Sequence, residues 1–140
     1  MGARHRGRES ALQMLFLMEA SGASASEASQ LYWRNFEADP EGRAYADACI
    51  QGCEAAAERI DKLVKEASAN WRIERMARVD RNVLRLGTWE LIERTDVPRA
   101  VILDEAVELA KEFGTDESSA FVNGVLNRVA DLLERKDPPA

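Results

Sequence analysis

The chain is 140 residues long, carries a formal net charge of −6 and is 46% hydrophobic. Its length suits one globular domain that can bury a core without disulfides or metal ions. No apolar run approaches the ~18 residues that a membrane-spanning helix needs, and no hydrophobic signal segment follows the N-terminal arginines. We therefore expect a soluble, cytoplasmic protein that does not enter the membrane.

The first half of the chain predicts three helices after a short arm. Residues 1–7 contain two glycines and almost no apolar anchor, so we expect a flexible basic arm. A first helix is predicted over about 8–19 and a second around 31–36, which ends before an Asp-Pro pair. The longest element is predicted over about 41–70, because apolar residues recur along it in alternating steps of four and three.

The second half predicts a junction at 71–78, a helix over about 79–92 and a helical hairpin over 97–126. Apolar residues cover more than half of the circumference of the 79–92 helix, which should make it the most buried one. Within the hairpin, Gly114 is the type of residue on which helices end in a left-handed conformation. Thr115 or the residue after it can cap the last helix.

These elements predict an all-α fold, a compact bundle of about six or seven helices. Helix-forming residues dominate the chain, and period-two runs of β-branched residues are missing. One helical domain is expected over 8–135. The tail at 136–140, which contains two prolines, is expected to be disordered.

Little in the sequence supports catalysis or metal binding. His5 is the only histidine, and it lies on the predicted flexible arm. The sequence therefore offers no Ser-His-Asp or Cys-His arrangement. Cys49 and Cys53 would need two further ligands to hold zinc, and a core position explains them better. The carboxylates fall on polar helix faces. We expect no enzyme activity, no metal and no cofactor.

Two islands with an excess of positive charge stand in an otherwise acidic chain. Residues 1–8 carry three arginines and no acid, and residues 72–85 carry five arginines against two acids. Arginine suits phosphate oxygens and also stacks on bases, but a short basic tail can equally serve solubility. From periodicity alone, Phe121 is more typical of a core residue than of an exposed base-stacking ring.

Four segments have distinctive wording: 8–16 (Arg-Glu-Ser-Ala-Leu-Gln-Met-Leu-Phe), 79–91 (Val-Asp-Arg-Asn-Val-Leu-Arg-Leu-Gly-Thr-Trp-Glu-Leu), 98–114 (from Pro-Arg-Ala-Val-Ile-Leu-Asp-Glu-Ala to Phe-Gly) and 121–127 (Phe-Val-Asn-Gly-Val-Leu-Asn). Together they resemble the NusB transcription antitermination factors. The resemblance implies two small helical bundles that share a central helix. It implies a non-enzymatic protein that binds boxA, a short single-stranded RNA element in ribosomal RNA leaders. The implied partners are the ribosomal protein NusE and RNA polymerase with other Nus factors.

The same resemblance implies site residues wherever positions match. An acidic residue, an aromatic residue and an arginine-rich N-terminus would contact RNA, and one aromatic and one acidic position would face NusE. The implied RNA contacts are Arg4, His5, Arg6, Arg8, Glu117 and Phe121, and the implied NusE contacts are Phe16 and Asp80.

Two further hypotheses come from the basic islands. Arg78 and Arg81 belong to the second island, and we expect them to extend the RNA path from the arm. Alternatively, the islands meet an acidic protein surface, including that of a second copy, in a homodimerising interaction module with weak or autoinhibited RNA binding.

Overall fold

A computed structural model of the chain describes residues 2–139, and within them the fold is helical with no strand, as predicted. Seven α-helices and one short 3-10 turn follow one another. They are α1 (Ala3–Ser21), α2 (Ala25–Asn35), α3 (Pro40–Ala55), α4 (Ala57–Ala67), the 3-10 turn Ile73–Arg75, α5 (Arg78–Glu93), α6 (Arg99–Phe113) and α7 (Ser118–Leu132).

The first helix begins at Ala3, so the prediction of a flexible arm over 1–7 is wrong for the residues described; Met1 lies outside them. Gly7, which we interpreted as a flexible residue of the arm, is buried inside the helix. A Cβ atom at Gly7 would lie 2.8 Å from the carbonyl oxygen of Gly42 in α3. The missing side chain of Gly7 therefore allows α1 and α3 to approach closely, and this contact orders the arm.

The predicted long helix over 41–70 is interrupted at Ala56, whose backbone (φ −106°, ψ 20°) leaves the helical region. The chain divides into two compact units at this point, one up to Ala55 and one from Ala56 onward. In the first unit, α3 packs against α1 and α2; in the second, α4 packs against α5 and α7. The two units agree with the two small bundles that the resemblance implied, and the predicted helix over 41–70 is divided at Ala56 into α3 and α4, one in each unit.

In the second unit α5 is the most buried helix, as its pattern predicted. Its buried residues include Val83, Leu84, Leu86 and Leu91. In the first unit Cys49 and Cys53 are both buried in α3, which agrees with their interpretation as core residues. None of the described helices is long and apolar enough to cross a membrane.

The hairpin between α6 and α7 differs in detail from its prediction. Gly114 ends α6 in an extended conformation (φ −108°), not a left-handed one. Its lack of a side chain matters because a Cβ would lie 2.6 Å from the hydroxyl of Ser118. That hydroxyl accepts the backbone N–H of Thr115, and no side chain caps α7.

The predicted disordered tail is held to the second unit. Asp137 accepts the backbone N–H of Arg99 at the start of α6 (2.7 Å). Arg135, just before the tail, donates to the carbonyl oxygens of Leu91, Arg94 and Val97. These bonds fix the chain as far as Asp137; Ala140 lies outside the described residues.

We expect Gly7→Ala to lower the free energy of unfolding by about 1–3 kcal/mol, the range for overpacking a tight contact. The added methyl group would collide with the backbone of Gly42, which cannot rotate away as a side-chain end can. Guanidinium unfolding followed by circular dichroism measures the change. Gly124→Ala is the matched control: it also lies inside a helix, but no described atom comes within 4 Å of the added Cβ. That change should raise stability by up to about 1 kcal/mol, and equal shifts in both variants would contradict the packing argument.

Candidate nucleic-acid surfaces

Arg4 and Arg8 lie one helical turn apart at the start of α1 and share an aromatic partner. Their guanidinium carbons lie 5.4 Å and 5.2 Å from the ring centroid of Tyr45 in α3, within the range of cation–π attraction. Arg8 is only 3% exposed and also donates to the Tyr45 hydroxyl (3.4 Å). Arg4 is exposed. Of the two, only Arg4 presents its charge at the surface.

Arg6 is exposed on α1 and forms an ion pair with Asp39 of the same unit. Its Nη2 donates to Oδ2 of Asp39 at 2.7 Å. The other carboxylate oxygen of Asp39 accepts the backbone N–H of Gly42 (2.7 Å) and so caps α3, which begins with Pro40. The Arg6 guanidinium and then the Gly42 N–H hold the pKa of Asp39 below its ordinary value.

His5 is 9% exposed, and its Nε2 lies 3.6 Å from Oε1 of Glu9, one turn further along α1. The four N-terminal residues predicted to bind RNA therefore differ in burial. Arg4 and Arg6 are exposed, whereas His5 and Arg8 are buried. Sequence reasoning missed Asp39 and Tyr45; the Asp-Pro pair signals a helix cap, but no sequence signal places either residue beside α1.

In the second unit, Phe121 is half-buried in the first turn of α7, between the core position predicted by periodicity and the exposed position implied by resemblance. Its ring meets the edge of Trp71, with centroids 6.3 Å apart and planes inclined at 62°. Glu117, the N-cap residue of α7, is exposed one turn earlier on the same face. Sequence reasoning placed Trp71 in a junction and gave it no role.

Three arginines lie on α5, namely Arg78, Arg81 and Arg85, and most of them form contacts within the second unit. Arg81 donates to the backbone carbonyl of Met76 (2.7 Å). Arg85 binds both carboxylate oxygens of Asp61 (3.0 Å and 3.2 Å). Arg78 is exposed at the first residue of α5. The island is therefore less basic at the surface than its sequence suggests.

The two residues predicted to face a protein partner lie in different units. Phe16 is half-buried on α1, and Asp80 lies in the first turn of α5, where a carboxylate complements the helix dipole. Oδ1 of Asp80 is buried and accepts no hydrogen bond from the described residues. An unsatisfied buried acceptor costs free energy, so Asp80 holds hydrogen-bonding capacity that its own unit leaves unused.

Comparison with known proteins gives the same family throughout. The NusB family model matches residues 5–131. The transcription antitermination protein NusB of Sorangium cellulosum is 61% identical over 137 residues, which cover 98% of this chain and 98% of that protein. The structure of T. maritima NusB is similar with a TM-score of 0.83 at 34% identity and covers 97% of this chain and 93% of its own. A chain in the crystal structure of the antitermination factors NusB and NusE in complex with dsRNA is similar with a TM-score of 0.84 at 25% identity, covering 94% of this chain and 98% of that one.

We expect Arg6→Ala to raise the pKa of Asp39 toward its ordinary value of about 3.9, because Arg6 is the largest cause of the lowered pKa. A lowered carboxyl pKa means that the pair stabilises the fold above the unfolded-state pKa and that this contribution is lost as pH falls through the folded-state pKa. Titration followed by NMR of the Asp39 carboxyl carbon measures its pKa in the wild-type chain and in Arg6→Ala. Arg34→Ala, which removes an exposed arginine of α2, is the control, and an unchanged Asp39 pKa in Arg6→Ala would contradict the assignment.

Proposed function

The chain belongs to the NusB family, and we propose that it is a non-enzymatic antitermination factor that binds boxA-type single-stranded RNA together with NusE. In this role it would act in the cytoplasm and support the transcription of ribosomal RNA. RNA polymerase and other Nus factors would be its further partners. The likeness to a chain in a complex of NusB, NusE and RNA supports RNA and NusE as ligands.

The observation that carries the RNA-binding proposal is the exposed pair Arg4 and Arg6 on the first two turns of α1. Their charges lie in a chain of net charge −6, so polyanions are attracted to this basic part of the surface, while acidic parts of the surface disfavour non-specific contact. Because these arginines sit on an ordered helix, little entropy is lost when they bind phosphate. His5 and Arg8 would contribute indirectly, by packing the helix that carries them.

For the protein partner, Asp80 is the stronger of the two candidates. Its Oδ1 is shielded within its own unit, but the side chain as a whole is only half-buried, so Asp80 is accessible in part to a hydrogen-bond donor from NusE. Phe16 offers an aromatic ring without the hydroxyl that a tyrosine would add. A homodimer that covers the arginines of α1 is the competing use of this surface, and the RNA experiment below separates the two.

We expect the double variant Arg4→Ala/Arg6→Ala to weaken binding of a boxA-like single-stranded RNA and to flatten its salt dependence. Two phosphate contacts on a single strand give a slope of log affinity against log salt of about −1.4, and both would be lost. Fluorescence anisotropy at several salt concentrations, with boxA-like and scrambled RNA and with or without NusE, measures affinity and preference.

Asp39→Asn should have the opposite effect, because it releases Arg6 instead of removing it. Asparagine can still cap α3 but no longer forms an ion pair with Arg6. Removing this exposed ion pair should tighten RNA binding by up to about 5-fold. If the wild-type chain prefers no RNA with or without NusE, the adaptor role is wrong. A concentration-dependent dimer under the same conditions would then favour the interaction module.

We expect Asp80→Asn to weaken NusE binding by about 2 kcal/mol or more, the loss typical of a buried, hydrogen-bonded charge at an interface. Isothermal titration with purified NusE measures it. Asp104→Asn, which neutralises an exposed acid on α6, is the control for net charge. RNA binding in the absence of NusE should be the same in both variants. If Asp80→Asn and Asp104→Asn bind NusE with equal affinity, Asp80 does not lie in the interface.

A further inference from the structure

Trp71 is the most exposed of the large apolar side chains among the described residues, with 56% of its surface open to solvent. A tryptophan carries enough apolar surface that burying it would be strongly favourable. The fold instead leaves most of this ring in water. In a chain with few aromatic residues, such an exposed ring is a feature that a binding role can explain.

The backbone before Trp71 fixes where its ring lies. Ala69 and Asn70 both adopt left-handed conformations (φ 56° and 64°) after the end of α4. Alanine rarely adopts this conformation because its Cβ crowds the carbonyl oxygen. Hydrogen bonds from Asn70 N–H to the Lys65 carbonyl and from Trp71 N–H to the Ser68 carbonyl close the turn. Trp71 is thus presented from an ordered turn rather than from a loose loop.

The turn brings Trp71 against Phe121, so that two aromatic rings meet edge to face. Phe121 is half-buried and anchored in α7, and it braces the more exposed indole. One turn further along the same face of α7, Gly124 is exposed and leaves open space where a side chain would stand. The result is an aromatic surface whose exposed part, the Trp71 indole, offers a plane on which a base can stack.

A basic cleft begins at the residue after Trp71. It has a volume of about 480 Å³ and lies between α4 and the 3-10 turn, lined by Asp61, Lys62, Lys65, Arg72, Ile73 and Glu74. Its two acids are engaged: Asp61 pairs with Arg85, and Glu74 lies 3.7 Å from Arg72. Lys62 and Lys65 form no ion pair with any described residue, so their charges remain available to an external anion.

We propose that Trp71 and Phe121 form a platform that stacks a base of single-stranded RNA, and that Lys62 and Lys65 in the adjoining cleft bind its phosphates. Aromatic rings beside a positively charged groove are the two components with which proteins hold single strands. This inference rests on the proposed RNA-binding function and adds to it a contact residue, Trp71, and a direction for the strand beyond Phe121.

The test uses the full-length chain with Trp71→Leu, which keeps an apolar contact with Phe121 but removes the planar ring. RNA affinity should fall about 5- to 150-fold, the range for losing one stacked base. Trp71→Phe restores a plane and should bind within about 3-fold of wild type. Phe36→Ala removes an exposed aromatic ring just after α2, in the other unit, and should leave RNA affinity unchanged.

Stacking has its own spectroscopic signature. With 2-aminopurine placed at successive positions of the RNA, one position should show quenched fluorescence on binding to wild type and to Trp71→Phe, and recover it with Trp71→Leu. The double variant Lys62→Gln/Lys65→Gln should flatten the salt slope by about 1.4, for two phosphates. Both lysines are exposed, so this change leaves the fold intact.

The outcomes separate this inference from the proposed function. If Trp71→Leu binds RNA as wild type does while Arg4→Ala/Arg6→Ala binds weakly, the platform is wrong and the RNA-binding function stands. If the wild-type chain binds no RNA, the function itself fails. If Trp71→Leu loses affinity for NusE and keeps its affinity for RNA, the platform is a protein contact and the proposal is overturned.

Discussion

The close approach of α1 and α3 at Gly7 and Gly42 determines how the first unit presents its charges. A side chain at Gly7 would meet the backbone of α3 at 2.8 Å, so this contact depends on the absence of a Cβ atom. Once the two helices touch there, the position of α1 against α3 is fixed. Arg8 then packs under Tyr45 while Arg4 and Arg6 reach the surface. Helix packing therefore selects which of three neighbouring arginines can meet a ligand.

Much of the helical order follows from local properties of the sequence, namely apolar periodicity and the residues that begin and end helices. The helices of the second unit and the helix start after Asp39 could be predicted in this way. The break at Ala56 could not, because it lies in a run of three alanines, the best helix formers. It arises because α3 and α4 pack against different sets of helices, which is information that the local sequence does not hold.

The candidate site, like the fold, could be predicted from the sequence only in part. Composition and resemblance pointed to Arg4, Arg6 and Phe121, since residue type and position suffice to nominate them. Burial of Arg8 and the pairing of Arg85 with Asp61 depend on neighbours 37 and 24 residues away, so charge counted along the sequence overstated the basic surface. Trp71 was missed for the related reason that an exposed ring and a buried one look alike in a sequence.

The ion pair between Arg6 and Asp39 also bears on how long a bound strand would stay. A phosphate that reaches Arg6 must displace a carboxylate already in place at 2.7 Å, so association there is an exchange between two anions. The free energy released is then only the difference between the two contacts, and the carboxylate can return as the phosphate leaves. Such an arrangement favours rapid dissociation over tight retention. In the antitermination role proposed above, a built-in competitor anion would provide reversible binding without a conformational switch.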